Sequence, residues 1–305
     1  MTRPSLETSY AWCQQLARSH YENFPVASLL LPKRLRGPVS VIYAFARTAD
    51  DFADEGKLKQ SDRLQRLDEF SVALRLVRDA HYQGTDPIFI ALADVISQYR
   101  LSVGLFEDLL RAFKQDVVKD RYQDFEEVMD YCRYSANPVG RLLLQLTVAP
   151  SEQQYQQSDA ICSALQLINF YQDIAQDYRE QNRIYIPQNE LALAGLEESD
   201  LIQENSSQLA PVLRHLYQRA AVLMNRGYPL GNTLSGRMGW EVRAMTLGGL
   251  TTLYLLSRQS DDELLARPRL HKGHLFHIIT SAACPGSYAR QCRKLLERIR
   301  TLNAK

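Results

Sequence analysis

Two groups of carboxylate residues have a spacing that suits the binding of a divalent cation. The first lies in Tyr43-Ala-Phe-Ala-Arg47-Thr-Ala-Asp50-Asp51-Phe-Ala-Asp54. A helix turns by about 100° per residue, so the numbered residues other than Asp51 would share one face. Mg²⁺ is usually held by one or two carboxylates, with waters and phosphate oxygens in its remaining positions. The face therefore suits a diphosphate ligand, and the alternative is an ordinary helix end in which Arg47 pairs with Asp50 or Asp51.

The second group forms one stripe in Gln166-x-x-Asn169-x-x-x-Asp173-x-x-x-Asp177. Steps of three, four and four residues place these side chains on one line of a helix whose opposite side is apolar or small. Burying them is unfavourable unless cations, water or hydrogen-bonding neighbours compensate. The stripe could instead meet an Arg or Lys elsewhere in the core as a buried polar network. Two such stripes in one chain favour a clamp for divalent metal ions.

Composition narrows the class of protein. The 305 residues are 45% hydrophobic, enough for a substantial buried core in one large domain or two average ones. The formal net charge of +1 gives no reason to expect nucleic acid as a partner. The five cysteines lie far apart without metal-ligand spacing, which favours a reducing cytoplasm. We expect no secretory signal and no membrane span, while peripheral contact with the inner face of the membrane stays open.

Apolar residues recur three and four positions apart along most of the chain, which predicts an all-α protein. We expect one domain over residues 1–305, with a loop near Arg179–Gly195. Pro138 and Gly140 predict a kinked or locally thinned helix. The predicted helices are Leu6–Arg18, Pro38–Asp54, Lys59–Val77, Ile88–Tyr99, Val103–Val117, Phe125–Thr147, Ser151–Tyr178 and several after Asp200. The residues expected on the buried sides of the two acidic helices are Val41, Phe45 and Phe52, and Ala164, Ile168, Tyr171 and Ala175.

The order of these motifs resembles that of the squalene/phytoene synthase family over nearly the whole chain. The resemblance rests on both acidic motifs, including Asp50-Asp51-x-x-Asp54-Glu55, and on two flanking motifs, Tyr43-x-Phe-x-Arg47 and Arg183-Ile-Tyr185-Ile-Pro187. It implies a single-domain isoprenoid synthase-type helical bundle with a central active-site cavity.

The resemblance also implies the roles of particular residues. Mg²⁺ would be the cofactor, held by Asp50, Asp54, Asn169, Asp173 and Asp177. The catalytic residues would be the four of these that are aspartates, together with Tyr131. The substrate-binding residues would be Tyr43, Arg47, Asn137, Gln166, Arg183 and Tyr185. For Arg183 and Tyr185 a simple salt bridge with packing at a turn remains the alternative.

Two further stretches resemble the hydroxysqualene-forming branch of the family: His20–Ser28 and Tyr131–Arg141. The implied reaction converts presqualene diphosphate and water to hydroxysqualene and diphosphate in squalene and hopanoid biosynthesis. One alternative is head-to-head condensation of two prenyl diphosphates, and another is a non-catalytic assembly protein with the same fold. The expected partners are the prenyl diphosphate and, transiently, neighbouring pathway enzymes.

Overall fold

The part of the chain that the structure describes is built from α-helices. The structure is a computed structural model that describes residues 3–19, 32–54, 58–147, 149–202 and 208–304. Within these ranges there is no β-strand beyond one isolated bridge between Arg121 and Ile184. The all-α prediction is therefore confirmed. The helices are α1 Leu6–Ser19, α2 Lys33–Asp54, α3 Gln60–Arg78, α4 Pro87–Tyr99, α5 Val103–Val118, α6 Phe125–Ser135, α7 Asn137–Gln145, α8 Glu152–Gln172, α9 Ile174–Gln181, α10 Gln188–Leu193, α11 Leu209–Gly227, α12 Leu230–Thr233, α13 Gly236–Ser257, α14 Lys272–Ala283 and α15 Pro285–Asn303.

Two predicted helices are each divided in two. The predicted helix Phe125–Thr147 breaks at Ala136, whose backbone has φ −108° and ψ −47°. The cause is Pro138, which has no backbone N–H to donate and whose ring clashes with the carbonyl four residues earlier, that of Tyr134 in the last turn of α6. The predicted helix Ser151–Tyr178 breaks at Asp173, with φ −111° and ψ 12°. The aspartate therefore stands at the junction of α8 and α9 rather than in mid-helix.

Two other boundaries also differ from the prediction. Helix α2 begins at Lys33, five residues before the predicted start at Pro38, which lies inside the helix. The predicted loop near Arg179–Gly195 contains the end of α9 and the short helix α10. Asn182 ends α9 in the left-handed conformation, with φ 54°, a geometry that asparagine tolerates better than most residues.

The helices form two compact units. The first contains residues up to Lys119 together with Pro138–Ser151, and the second contains Asp120–Asn137 together with residues from Glu152 onward. In the first unit, α2 buries Val41 and Phe45 completely. The Phe45 ring lies 5.2 Å from that of Phe70 and 5.2 Å from that of Phe106. This aromatic core holds α2 so that its polar side faces outward, and the single domain over 1–305 stays a prediction.

In the second unit, glycines let neighbouring helices approach α8 closely. A Cβ atom on Gly227 of α11 would come within 2.6 Å of Ile161, and one on Gly249 of α13 within 2.4 Å of Leu165. Backbone atoms of Gln157 and Ile161 are also within 3 Å at Gly227, so only glycine fits there, whereas a side chain at Gly249 would have to displace the end of Leu165. Helices α11 and α13 thus pack directly on α8 and hold the helix that carries the second group of polar residues.

Among the residues described, no helix has the length and apolar composition needed to cross a membrane.

Candidate functional site

The first acidic set consists of Asp50, Asp51 and Asp54 near the end of α2. Arg47 contacts two of these carboxylates: its guanidinium lies 2.6 Å from Asp51 and 3.5 Å from Asp50. Arg47 is only 19% exposed, against 28% for Asp51 and 39% for Asp50. Burial raises the pKa of the nearby Tyr43 hydroxyl, and Arg47 partly offsets that rise. The structure thus contains the arginine pairing that the sequence left open as an alternative.

The second acidic set consists of Asn169, Asp173 and Asp177 at the junction of α8 and α9. Backbone hydrogen bonds continue across the junction, from Asp173 N to Asn169 O at 3.0 Å and from Asp177 N to Asp173 O at 2.8 Å. The three side chains therefore stay on one side of the chain despite the break. The predicted buried side is confirmed, because Ala164, Ile168 and Tyr171 are all at most 2% exposed and Ala175 is 8% exposed.

The two carboxylates of the second acidic set are crowded and partly buried. Burial raises the pKa of Asp177 to about 7, and the neighbouring charge of Asp173 adds to this rise. Burial also raises the pKa of Asp173, against the opposing effect of Arg267. Arg183 lies close enough to lower the Asp177 pKa, but it does not cancel the rise. Ionisation of either carboxyl group is therefore unfavourable in the folded protein. A bound cation would stabilise the ionised form.

Arg267, in the loop before α14, makes the main contact to this set. Its Nε lies 2.6 Å from one oxygen of Asp173, and its NH2 group donates a 3.1 Å hydrogen bond to the other. The two residues are 94 positions apart in the chain, so sequence spacing could not reveal the pair. Arg267 is 49% exposed, which places the contact at the surface rather than in a buried network.

The chemistry of the second acidic set fits Mg²⁺. No group of three or more His, Cys, Asp or Glu side chains within the described ranges could hold a metal ion alone. However, Mg²⁺ needs only one or two carboxylates when waters and phosphate oxygens complete its octahedron. The Asp177 carboxylate and the Asn169 amide make no hydrogen bond to described residues, and Asn169 is exposed. The Asp177 carboxylate and the Asn169 amide therefore suit a hydrated cation bound to a diphosphate, and Asp173 would join them by exchanging its contact with Arg267.

Aromatic rings form a cluster beside the second acidic set. The Tyr185 ring stacks on Phe170 with centroids 3.5 Å apart and planes 5° apart. Tyr131 lies 5.9 Å from Tyr185, and Tyr122 lies 5.6 Å from both. The predicted residues Tyr131 and Tyr185 are thus brought together. Phe170 follows Asn169 directly, so the stack connects the aromatic cluster to the acidic stripe.

Asn137 lies at a different place in the second unit. Its Oδ1 accepts a 2.9 Å hydrogen bond from the Ser163 hydroxyl, beside an open pocket of about 530 Å³. Most of its lining residues have polar side chains, including Gln157 and Arg226, and neither Tyr131 nor Tyr185 is among them. The predicted binding residues of this unit are therefore divided between this pocket and the junction of α8 and α9.

The remaining predicted residues are only partly placed in a site. Arg183 donates a backbone hydrogen bond to Asp177 O at 3.1 Å, and its charge lowers the pKa of the Asp177 carboxyl, so it lies beside the second acidic set. Gln166 is half-buried on α8, one turn before Asn169. The motif His20–Ser28 lies outside the described residues. Sequence reasoning missed Arg267, Tyr122 and Phe170, of which only Phe170 had a signal, its position inside the second motif.

The described part of the chain is all-helical, and the side chains of its second acidic set would suit Mg²⁺ bound to a diphosphate. A family model, Squalene/phytoene synthase, matches residues 17–274. The chain belongs to the squalene/phytoene synthase family.

Individual relatives show which members of this family the chain is similar to. The chain is 40% identical over 223 residues to hydroxysqualene synthase of Rhodopseudomonas palustris, covering 72% of this chain and 74% of the relative. It is 36% identical to hydroxysqualene synthase of Sinorhizobium fredii, with the same coverage. A crystal structure of squalene synthase from Alicyclobacillus acidocaldarius is 34% identical, with a TM-score of 0.77 and coverage of 83% of this chain and 95% of that one. The predicted synthase fold is thus confirmed, and the protein is an enzyme that acts on a prenyl diphosphate.

Proposed function

We propose that this enzyme converts presqualene diphosphate and water to hydroxysqualene and diphosphate, with Mg²⁺ as cofactor. The observation that carries the proposal is the second acidic set, in which Asp173 and Asp177 are crowded beside an exposed Asn169 amide that makes no hydrogen bond to the described residues. The relatives named hydroxysqualene synthase, at 40% and 36% identity, support this choice of substrate and product.

The reaction breaks the carbon–oxygen bond to diphosphate and leaves a cyclopropylcarbinyl cation. This cation rearranges with opening of the cyclopropane ring, water forms a new carbon–oxygen bond to the rearranged cation, and a water proton is released. Bound Mg²⁺ would neutralise the negative charge that develops on the leaving diphosphate. Neither an oxidant nor a reductant is needed.

The chain's own residues bind the metal and the diphosphate in this proposal. Asp50 and Asp54 of the first acidic set would be Mg²⁺ ligands, and so would Asn169, Asp173 and Asp177 of the second. Arg47 and Arg183 would contact diphosphate oxygens through their planar guanidinium groups.

The other proposed residues act on the hydrocarbon and on the substrate position. The rings of Tyr131 and Tyr185, which cluster with Phe170, would stabilise a carbocation and limit the access of water. The hydroxyl of Tyr43 and the amides of Asn137 and Gln166 are proposed to position the substrate by hydrogen bonding.

A second candidate reaction is head-to-head condensation of two prenyl diphosphates. The 34% identical crystal structure of a squalene synthase favours it. Both reactions begin with loss of diphosphate, so the acidic sets alone do not separate them.

Product analysis separates the two reactions. The purified protein with Mg²⁺ is incubated with presqualene diphosphate in one tube and farnesyl diphosphate in another, and lipid extracts are analysed by mass spectrometry. Hydroxysqualene from the first tube and unchanged substrate in the second is the expected result. Consumption of farnesyl diphosphate would contradict the proposal and would support head-to-head condensation instead. The Asp173→Asn variant serves as the inactive control, and oxygen-18 water should label the hydroxysqualene oxygen.

A further inference from the structure

Helix α14 carries apolar side chains around a wide arc that is only partly covered. Ile278 and Ala282 are buried against neighbouring helices, at 5% and 0% exposure. Beside this buried stripe, Leu275 is 41% exposed, Phe276 71% and Ile279 39%. These three residues form the α14 apolar face. A surface helix normally has a polar outer side, so a contiguous apolar face points to an interaction.

A tryptophan borders this face. The Trp240 indole Nε1 of α13 donates a 3.1 Å hydrogen bond to the backbone oxygen of Ile279. Its ring is half-buried, so it lies at the margin between the α14 apolar face and solvent. Tryptophan suits such a boundary because it combines a large apolar ring with a polar N–H group.

The surrounding segment is strongly basic, although the whole chain has a net charge of only +1. Residues 264–296 contain neither Asp nor Glu. Its basic residues are Arg267, Arg269, Lys272, Arg290, Arg293 and Lys294. Arg267 pairs with Asp173, whereas the other five make no ion pair within the described part of the chain. The positive charge of this surface is therefore available to a partner.

Two groups of these cations lie beside the α14 apolar face. Lys272 is exposed one turn before Phe276 and on the same side of the helix. On α15, Gln291 contacts His277 of α14. The exposed Arg290 and Lys294 lie within one turn of Gln291, so they flank the face on the α15 side.

We propose that the α14 apolar face docks on a lipid bilayer that carries anionic headgroups. Apolar side chains would enter the boundary between headgroups and acyl chains, while the cations would contact the headgroups. A second copy of the chain is a poorer occupant. A two-fold contact through this face would bring two positive surfaces together, which is electrostatically unfavourable. This inference does not rest on the proposed reaction.

Vesicle binding of the full-length protein tests the proposal. Co-sedimentation is measured with phosphatidylcholine vesicles containing about one-third phosphatidylglycerol, and with pure phosphatidylcholine. We expect binding to the first kind, weakening as salt rises from about 0.05 M to about 0.5 M. The double substitution Phe276→Ser with Ile279→Ser should lower the partition coefficient at least about tenfold. The matched control is Leu193→Ser, because Leu193 is 87% exposed on α10 but far from α14 in sequence.

Charge reversal gives an independent measurement. Lys272→Glu with Arg269→Glu should weaken binding to anionic vesicles by at least about twenty-five fold, since each basic residue near such a surface contributes about a factor of five. The same pair should leave any binding to neutral vesicles unchanged. All these side chains are exposed, so the circular dichroism spectrum and melting temperature should match those of the wild type.

Tryptophan fluorescence reports the orientation. The chain has two tryptophans, and Trp12→Phe leaves Trp240 alone. Its emission should shift to shorter wavelength when anionic vesicles are added. Three results would overturn the proposal: no binding by the wild type, equal binding by the Phe276/Ile279 variant, or an unshifted Trp240 emission in bound protein. A dimer in analytical ultracentrifugation that the same variant dissociates would assign the face to a second copy.

Discussion

The two acidic sets differ in how their charge is balanced. In the first, Arg47 belongs to the same helix as the carboxylates, is mostly buried, and contacts both Asp50 and Asp51. In the second, Arg267 comes from a distant loop, is half exposed, and contacts Asp173 alone. Asp177 is left with a pKa of about 7, raised by burial and by Asp173.

Two acidic motifs of the same type can therefore differ in how far a nearby arginine compensates their negative charge. In the first set, Arg47 compensates much of the negative charge, because i,i+3 and i,i+4 pairs form within the helix itself. The second set keeps excess negative charge in a partly buried position, where ionisation is unfavourable. A cation would therefore contribute more at the second set than at the first.

Removing a carboxylate should have the largest effect, and it should be larger in the second set. We expect Asp173→Ala to lower turnover by about a thousandfold or more, since it removes a group that stabilises the developing diphosphate charge. Asp50→Ala should lower it less. Circular dichroism should remain unchanged in both. Asp262→Ala is the control, an exposed aspartate outside both sets. Full turnover by Asp173→Ala would remove the metal-binding assignment.

The second prediction concerns stabilisation of the folded protein by bound Mg²⁺ and diphosphate. Mg²⁺ with inorganic diphosphate at about 100 times the dissociation constant should stabilise the native state by about 2.7 kcal/mol. We expect a melting temperature several degrees higher in scanning calorimetry. Asp173→Asn should abolish most of this rise, and Asp50→Asn a smaller part. Equal losses in the two variants would contradict the difference between the sets.

A third buried carboxylate shows what burial does without a partner. Glu241 of α13 is 3% exposed, and neither of its oxygens has a hydrogen bond within the described ranges. Burial raises its pKa to about 7, against about 4.3 in an unfolded chain. The folded protein therefore holds this proton more tightly, and stability falls as pH rises from about 4 through about 7.

Glu241→Gln should remove that pH dependence. We expect the variant to be more stable than the wild type by roughly 3 to 4 kcal/mol at pH 8, with almost no difference near pH 4. Urea unfolding at both pH values measures it. Glu126→Gln, an exposed position on α6, is the control and should change neither value. Equal stability of Glu241→Gln and wild type at pH 8 would mean that the carboxylate is compensated in the folded protein.

The smallest effect should come from the Arg267 contact. Because Arg267 is 49% exposed, solvent screens the pair, and Arg267→Ala should lower the free energy of unfolding by less than about 1 kcal/mol. Mg²⁺ with diphosphate should stabilise this variant at least as much as the wild type. A loss above about 3 kcal/mol, unrelieved by Mg²⁺, would instead identify a structural network of the kind that spacing alone left open.

The sequence by itself was sufficient to predict the all-α class and the residues that form each acidic stripe. Helical periodicity depends only on residues three and four positions apart, so Val41 and Phe45 could be assigned to a buried side, as could Ala164 and Ile168. The family likewise follows from motifs in order along the chain. The breaks at Ala136 and Asp173 were harder to place, because a break depends on the packing of the whole helix as well as on proline chemistry.

Only the tertiary structure decided which groups meet across long stretches of chain. Arg267 reaches Asp173, and Tyr122 joins Tyr131 and Tyr185, through contacts that no local spacing encodes. The same is true of the α14 apolar face, since periodicity shows that a side chain is apolar but not whether a neighbour covers it. The charge balance of each acidic set was decided in the same way, because pKa depends on burial and on charges brought close by folding.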